Sequence, residues 1–309
     1  MESYNETMPE LFPEGKRYNT FVGYYRRQYG ERLQKLVIDA GFTCPNRDGT
    51  VGRGGCSFCD NAAFHPSYST SGKSIAEQID EGIEFHQVRY RNTKHYLAYF
   101  QSYSNTYAPV SRLRELYLAA LTHPKIVGIV IGTRPDCVDE EKLDFLAGLK
   151  AGEGLGDWHR DGFEHPVVKV EYGIESCYDE TLLRVGRGHD VAVAEKAVRM
   201  SAERGLEPGA HFILGLPGET REMLLGQCRF ISSLPLHSVK FHQLQIVCNL
   251  VITGYHRMIR IKYLLICMII RIKQLEGILP SAQDWSSGDI FFLCAVIFLI
   301  GINKFIEFL

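Results

Sequence analysis

Six short runs rich in β-branched and aromatic residues alternate with longer amphipathic stretches between residues 33 and 247. The runs are LQKLVIDAGF (33–42), HYLAYFQ (95–101), IVGIVIGTR (126–134), VVKVEYGIES (167–176), GAHFILGLP (209–217) and SVKFHQLQIV (238–247). Apolar residues in the stretches at 74–90, 111–123, 140–150, 191–205 and 220–234 recur at three- and four-residue intervals, as on one buried helix face. Pro, Gly, Asp and Thr mark the junctions, as at Pro135–Asp136 and at Pro217–Gly218–Glu219–Thr220 before a helix. Alternation of this kind predicts an α/β fold with a mostly parallel sheet and helices outside it. A doubly wound layer and an incomplete barrel both satisfy the pattern. In either, ligands bind at the carboxyl ends of the strands.

The first such loop carries CPNRDGTVGRGGCSFCDN, residues 44–61, with Cys44, Cys56 and Cys59 among glycines and charged residues. The chain has 309 residues, a net charge of −2 and nine cysteines. Its amino terminus is polar and lacks the apolar core of a signal peptide. The expected compartment is therefore the reducing cytoplasm, where thiols serve as metal ligands, reactive groups or core filler. A near-neutral charge provides no field that draws the chain to nucleic acid or to acidic lipid.

Four readings of the three thiols compete. A structural zinc site normally takes four ligands, and His65 is the nearest candidate for the fourth. A redox dithiol accounts for Cys56 and Cys59 but leaves Cys44 idle. Filler cysteines rarely cluster among Gly, Arg, Asp and Asn; Cys137, Cys177, Cys228, Cys248, Cys267 and Cys294, scattered singly, fit that role better. An iron–sulfur cluster with three thiolate ligands leaves one iron open to a small molecule. Spacing alone does not separate the cluster from zinc.

Phe58 directly precedes the last cysteine, and Cys44 follows the first strand. Together they resemble the cluster motif of the radical S-adenosylmethionine (radical SAM) enzymes. The eleven residues between Cys44 and Cys56 exceed the usual spacing of that family. With DAGFTCPNRDGT leading into them, they resemble instead its YhcC-like uncharacterised branch, related to the radical SAM core of the elongator-type tRNA-modifying enzymes. The stretches YFQSYSNTYAP (99–109), IGTRPDCV (131–138), VEYGIESCYDETLLRVGRGHD (170–190) and HFILGLPGET (211–220) agree with it.

The resemblance implies a partial (β/α)6 TIM-type barrel over residues 15–247, after an arm at 1–14. It implies a [4Fe-4S] cluster on Cys44, Cys56 and Cys59, S-adenosylmethionine as cofactor, and a 5′-deoxyadenosyl radical that abstracts hydrogen from a substrate. An electron donor such as flavodoxin or ferredoxin is implied as partner, with no membrane association of the core, and an RNA-related substrate follows by analogy with the elongator-type branch. For cofactor contacts it points to Phe58, Ser104, Asn105, Glu175 and Arg187. The plainer alternatives are a core aromatic for Phe58 and a surface ion pair or helix-terminal charge for Glu175 and Arg187. Arg134 also ends a strand, and Asp136 reads as a cap or turn residue. Competing functions are a zinc-stabilised, nucleic-acid-associated module and a degenerate family member that folds without catalysing.

After Val247 the resemblance stops. Residues 248–309 are rich in Ile and Leu and read like translation in a displaced frame. The uncharged apolar run at 290–302 is shorter than the roughly 20 residues a membrane-spanning helix needs, so a buried or interfacial helix is expected there.

Overall fold

The computed structural model describes residues 18–60, 65–244 and 266–268. In chain order the described elements begin with α1 (Phe21–Tyr29), β1 (Gln34–Ile38), α2 (Pro45–Asp48), α3 (Ile75–Gln87), β2 (Tyr96–Phe100) and α4 (Val110–Leu121). They continue with β3 (Ile126–Thr133), α5 (Glu140–Lys150), β4 (Val167–Glu175), α6 (Asp179–Arg184) and α7 (Val191–Glu203). β5 (Gly209–Leu214), α8 (Arg221–Ser233), β6 (Ser238–Gln243) and β7 (Ile266–Met268) complete the set. All six expected strands and all five expected helices are present. Strands β1, β4 and β5 end before their apolar runs do, where Asp39, Ser176 and Gly215 turn the chain away, and β2 and β3 stop one residue short, before Gln101 and Arg134. Helix α1 was not legible, since FVGYYRRQY is aromatic and basic rather than periodically apolar, yet Tyr24 and Tyr25 bury.

The helix starts follow side-chain chemistry. Ser74 and Glu77 form a reciprocal capping box on α3. Asp139, Asp190 and Thr220 accept backbone N–H bonds at the starts of α5, α7 and α8. Each such cap contributes about 1 kcal/mol.

The sheet order is β1-β2-β3-β4-β5-β6-β7, parallel throughout except that β7 runs antiparallel to β6. Strictly sequential order decides between the two architectures. A doubly wound sheet reverses its strand order at a switch point and carries helices on both faces. Six sequential strands joined by right-handed crossovers place the connecting helices on a single face, and the sheet curls into a half-barrel. The outward strand residues Leu36, Ile38, Phe100, Ile131, Val170 and Phe212 pack with Ile79, Leu113, Leu146 and Val198 of the helices in one continuous core. On the concave face, Tyr24 and Tyr25 of α1 join Leu33, Leu97, Tyr99 and Val130.

No helix among the described residues is long and apolar enough to cross a membrane. The arm at 1–14, the run at 290–302 and all of the tail except β7 lie outside the described residues.

Gly128 shows how tightly the strands meet. The β2–β3 register shifts between Tyr96 and Leu97, opposite this residue. A Cβ at Gly128 would lie 2.2 Å from the Val167 carbonyl oxygen and 2.8 Å from its nitrogen. Both are backbone atoms held in the sheet, so the clash cannot relax by a rotamer change. Gly128→Ala is expected to destabilise the fold by about 1–3 kcal/mol, the usual cost of overpacking. Chemical denaturation checks this, and a change below about 0.5 kcal/mol would show that the strands can part there without strain.

Candidate functional site

Cys44 stands just beyond β1, in extended backbone at the start of α2, with Pro45 as the first helical residue. Its carbonyl accepts from the Arg47 and Asp48 amides. Beyond α2 the chain turns back through Gly54 and Gly55, both at positive φ. The Gly55 amide bonds to the Asn46 carbonyl at 2.9 Å, and the Ser57 amide to the Val185 carbonyl at 2.9 Å. The Cys59 amide then closes a turn onto the Cys56 carbonyl. The glycines make this compact loop possible. At Gly52 a Cβ would lie 2.3 Å from the Asn46 Oδ1.

Side-chain donors approach two of the three sulfurs. Asn46 Nδ2 lies 3.4 Å from Cys56 Sγ, and Arg187 Nη1 lies 3.5 Å from the same atom. Arg47 Nη2 donates to the Cys59 carbonyl at 3.0 Å and lies 3.6 Å from its Sγ. Burial pushes the Cys59 thiol up, and the Arg47 hydrogen bond opposes the rise. Cationic and amide donors of this kind favour thiolate and temper its charge once formed.

The other expected residues converge on the same place, with one exception. A cavity of about 410 Å³ at the carboxyl ends of the strands is lined by all three cysteines and by Phe58, Ser104, Glu175 and Arg187. Asn105 is fully buried beside it and donates to the Gly132 carbonyl at 2.7 Å, joining the ends of β2 and β3. Phe58 lines the cavity while also packing on Val185, Ile213 and Leu216, so its core role and its position at the site coexist. Asp136 makes no cap. It sits in a 3-10 turn, Pro135–Cys137, and accepts from Arg134 Nε at 2.8 Å and Nη2 at 2.7 Å.

Arg187 is 7% exposed, which removes the surface ion-pair reading. It donates through Nη2 to the Gly173 carbonyl at 2.5 Å and lies 3.9 Å from Glu175. Burial alone would lower its affinity for the proton, but Cys56 and Glu175 outweigh that and hold it charged. Glu175 ends β4 with φ 73°, where the β4–β5 register slips between Gly173 and Glu175. A left-handed Glu at a strand end costs on the order of 1–3 kcal/mol, the kind of strain that collects at functional sites. Burial pushes its carboxyl up, against the pull of Arg187, Lys240 and Arg134.

Two observations bear on whether a cofactor fits here. Four of the buried polar atoms with no hydrogen-bond partner among the described residues lie at the site: Ser104 Oγ, Asn105 Oδ1, Arg134 Nη1 and Arg187 Nε. Unsatisfied buried donors and acceptors are costly and ask for a partner. The inner positions at the strand tops are also glycine. A Cβ on Gly173 would come within 2.5 Å of Glu175 Oε1 and 2.8 Å of Arg187 Nη2. The donor set and the space suit a polar, charged ligand beside three thiols.

A single zinc ion fits less well. Its ligands stand about 2.0–2.3 Å from the metal. No group of three or more His, Cys, Asp or Glu among the described residues is arranged to hold a metal ion, the three thiols included, so the comparison with zinc rests on the fourth ligand. His65, the proposed fourth ligand, instead bonds Ser102 Oγ at 3.0 Å and faces Asp39 at 3.8 Å.

The same cavity is lined by residues that sequence reasoning missed, Glu171, His211, Lys240 and His242 on the concave face, with Lys35 paired to Glu171. Glu171 pairs with Lys35 and accepts from His211 Nε2 at 3.0 Å. Their signal was period-two alternation, with a charged or imidazole side chain at every second position of VVKVEYG and SVKFHQ.

A family model described as the radical SAM superfamily matches residues 44–231. Protein YhcC of Escherichia coli (strain K12) is 40% identical over 233 residues, which are 75% of this chain and 70% of that protein. A shorter stretch of 99 residues, 32% of this chain and 16% of the relative, is 31% identical to the tRNA uridine(34) acetyltransferase of Methanocaldococcus infernus. Among solved structures, the archaeal Methanocaldococcus infernus Elp3 with an N-terminal deletion aligns with a TM-score of 0.50 at 16% identity. That alignment covers 71% of this chain and 47% of the Elp3 chain, so this chain spans about half of Elp3, and the likeness concerns the fold. A half-barrel of six sequential parallel strands, three thiols in the loop after the first of them and a family match over more than half the length lead to one conclusion: the chain belongs to the radical SAM superfamily of enzymes.

Proposed function

We propose that Cys44, Cys56 and Cys59 hold a [4Fe-4S] cluster and that S-adenosylmethionine binds beside it, in contact with Phe58, Ser104, Glu175 and Arg187. The observation that carries this reading is that the three thiols and these four residues open into one cavity, within a family match spanning residues 44–231. When bound, the cluster and S-adenosylmethionine supply a one-electron reductive cleavage that yields a 5′-deoxyadenosyl radical able to abstract hydrogen from a substrate. The protein's own contribution is binding, orientation and exclusion of water.

Each thiol must lose its proton to bind iron, so loading releases protons; at Cys59 burial adds to the cost of that loss and the Arg47 hydrogen bond offsets part of it. Asn46, Arg47 and Arg187 then donate toward the sulfurs, one of the levers on the potential of such a centre. Arg187 has a guanidinium anchored at Gly173 and a free Nε, and it can fork onto a carboxylate such as that of the methionyl group. Glu175 can accept from sugar hydroxyls. Asn105 acts one layer behind, by positioning the strand ends. An external one-electron donor such as flavodoxin or ferredoxin completes the scheme. An RNA substrate is supported by the partial match to the tRNA uridine(34) acetyltransferase.

Anaerobic reconstitution is expected to give about four irons per chain. Cys44→Ala, Cys56→Ala and Cys59→Ala should each abolish that content, measured as iron and acid-labile sulfide. Full retention by any one of them overturns the ligand set.

Arg187→Gln is expected to weaken S-adenosylmethionine binding by about 1.5–3 kcal/mol, the size of a charged hydrogen bond. Titration calorimetry on protein with unchanged iron content makes the measurement. An unaltered isotherm would leave Arg187 as a partner of Cys56 and Glu175 only.

Bulk tRNA added to the reduced enzyme is expected to raise 5′-deoxyadenosine formation above its uncoupled rate. No change across a tRNA titration would count against the RNA assignment.

A further inference from the structure

Three lysines point from the strands into the concave face, and they differ in how their charge is met. Lys169, near the α1 end, lies 2.9 Å from Glu207 and over the rings of Tyr24 and Tyr25. Lys35 pairs with Glu171. The second Glu171 oxygen is taken by His211. Lys240, in register with His211 on the adjacent strand, has no carboxylate within ion-pair distance among the described residues. Its ammonium stands 5.6 Å from the centre of the Tyr99 ring, half-buried at the cavity wall. The ring of His242, two residues on, lies 5.2 Å from that of His211 and makes no hydrogen bond to a described residue.

An unpaired cation in a partly dehydrated cavity is costly unless something neutralises it. The charge balance of this floor is one carboxylate against two ammonium groups, with two imidazoles beside them. Burial holds both imidazoles neutral, His211 pushed down to about 4 and His242 to about 2, with Lys240 adding to each depression. A neutral imidazole has a single N–H: that of His211 is spent on Glu171, whereas His242 beside the lysine still offers a donor without adding a second charge, and His242 with the lysine suits an anion. The cysteine end of the same cavity, with Arg187, Arg134 and Glu175, is reserved for the cofactors under the reading above, and Lys240 acts on Glu175 through space without forming an ion pair.

We propose that Lys240 and His242, with the His211 ring beside them, form an anion subsite on the barrel floor that anchors a carboxylate or phosphate group of the substrate. This rests on the assignment of the cavity as a radical SAM active site, and it adds the chemical class of the substrate: a molecule with an anionic end that enters the barrel and leaves its reactive carbon toward the cysteines. A charged hydrogen bond to Lys240 anchors the anion in place, while the Lys35–Glu171–His211 chain holds the His211 ring in one orientation.

The test is a histidine-labelled NMR titration of the full chain as purified, with inorganic phosphate in one arm and malonate in the other. The imidazoles are assigned by His→Gln variants. Saturable shifts of both His211 and His242 are expected. Lys240→Gln should weaken the binding about tenfold or more. His242→Gln, which leaves the lysine in place, should weaken it severalfold and serves where Lys240→Gln does not fold. Tighter phosphate binding identifies a phosphorylated or nucleotide-like substrate, and tighter malonate binding a carboxylate. The proposal is overturned by shifts at neither histidine, by shifts at His189 beside Arg187 alone, or by undiminished binding in either variant. Neither iron nor S-adenosylmethionine is needed for the readout, so a failure here is distinct from a failure to reconstitute the cluster.

Discussion

A sheet whose strands follow one another in chain order carries its crossover helices on one face, and the opposite face must then be satisfied by its own side chains. Here that second face curls inward, and its floor is ionic. Lys169 meets Glu207, and Lys35 meets Glu171, which also holds His211. Charges buried in this way add little stability compared with apolar residues of the same volume, and removing one partner of a pair is far more costly than keeping both. The helix-covered face therefore provides most of the stabilisation, through the continuous core of Leu36, Phe100, Ile131 and Phe212 against the helices. The inner face is left available for chemistry.

At the carboxyl ends of the strands a single guanidinium joins what the fold brings together. Arg187 follows α6, reaches the Gly173 carbonyl of β4, approaches Cys56 in the loop after β1 and faces Glu175 across the β4 bulge. It thereby couples the cysteine loop to the strand whose end is strained. Gly173 is small because that space belongs to Arg187 and Glu175. The unpartnered Ser104 Oγ, Arg134 Nη1 and Arg187 Nε line the same region, which is polar, dehydrated and incompletely satisfied. Such a region is the expected form of a site that gains its missing bonds from a ligand.

Much of this was legible one residue at a time. Strand and helix existence followed from period-two and 3.6-residue patterns that span many residues, so a single misread position cannot erase them. The cysteine loop was legible as a site because three thiols cluster among glycines and charged residues, but spacing left zinc and a cluster open, and only the resemblance carried by Phe58 and its flanking stretches separated them. Helix α1 was not, because its buried face is tyrosine, and an aromatic and basic composition has no apolar stripe. Asp136 read as a cap or turn residue; the turn is there, but local sequence cannot show that Arg134 takes both of its oxygens. Asn105 stands next to Ser104 in the chain, yet it faces the neighbouring strand, where Gly132 takes its amide.

Local chemistry along the chain settled the existence and order of six strands and of the five helices between them, and the place of the three thiols in the first loop. These depend on neighbours a few residues apart. The choice of half-barrel over doubly wound sheet depended on which strands pair, a property of the whole assembly. The same holds for the burial of Arg187 beside Cys56, 131 positions away in the chain. Among the described residues Lys240 has no carboxylate within ion-pair distance, because Glu171 already answers Lys35 and His211, and only folding brings those four side chains into competition.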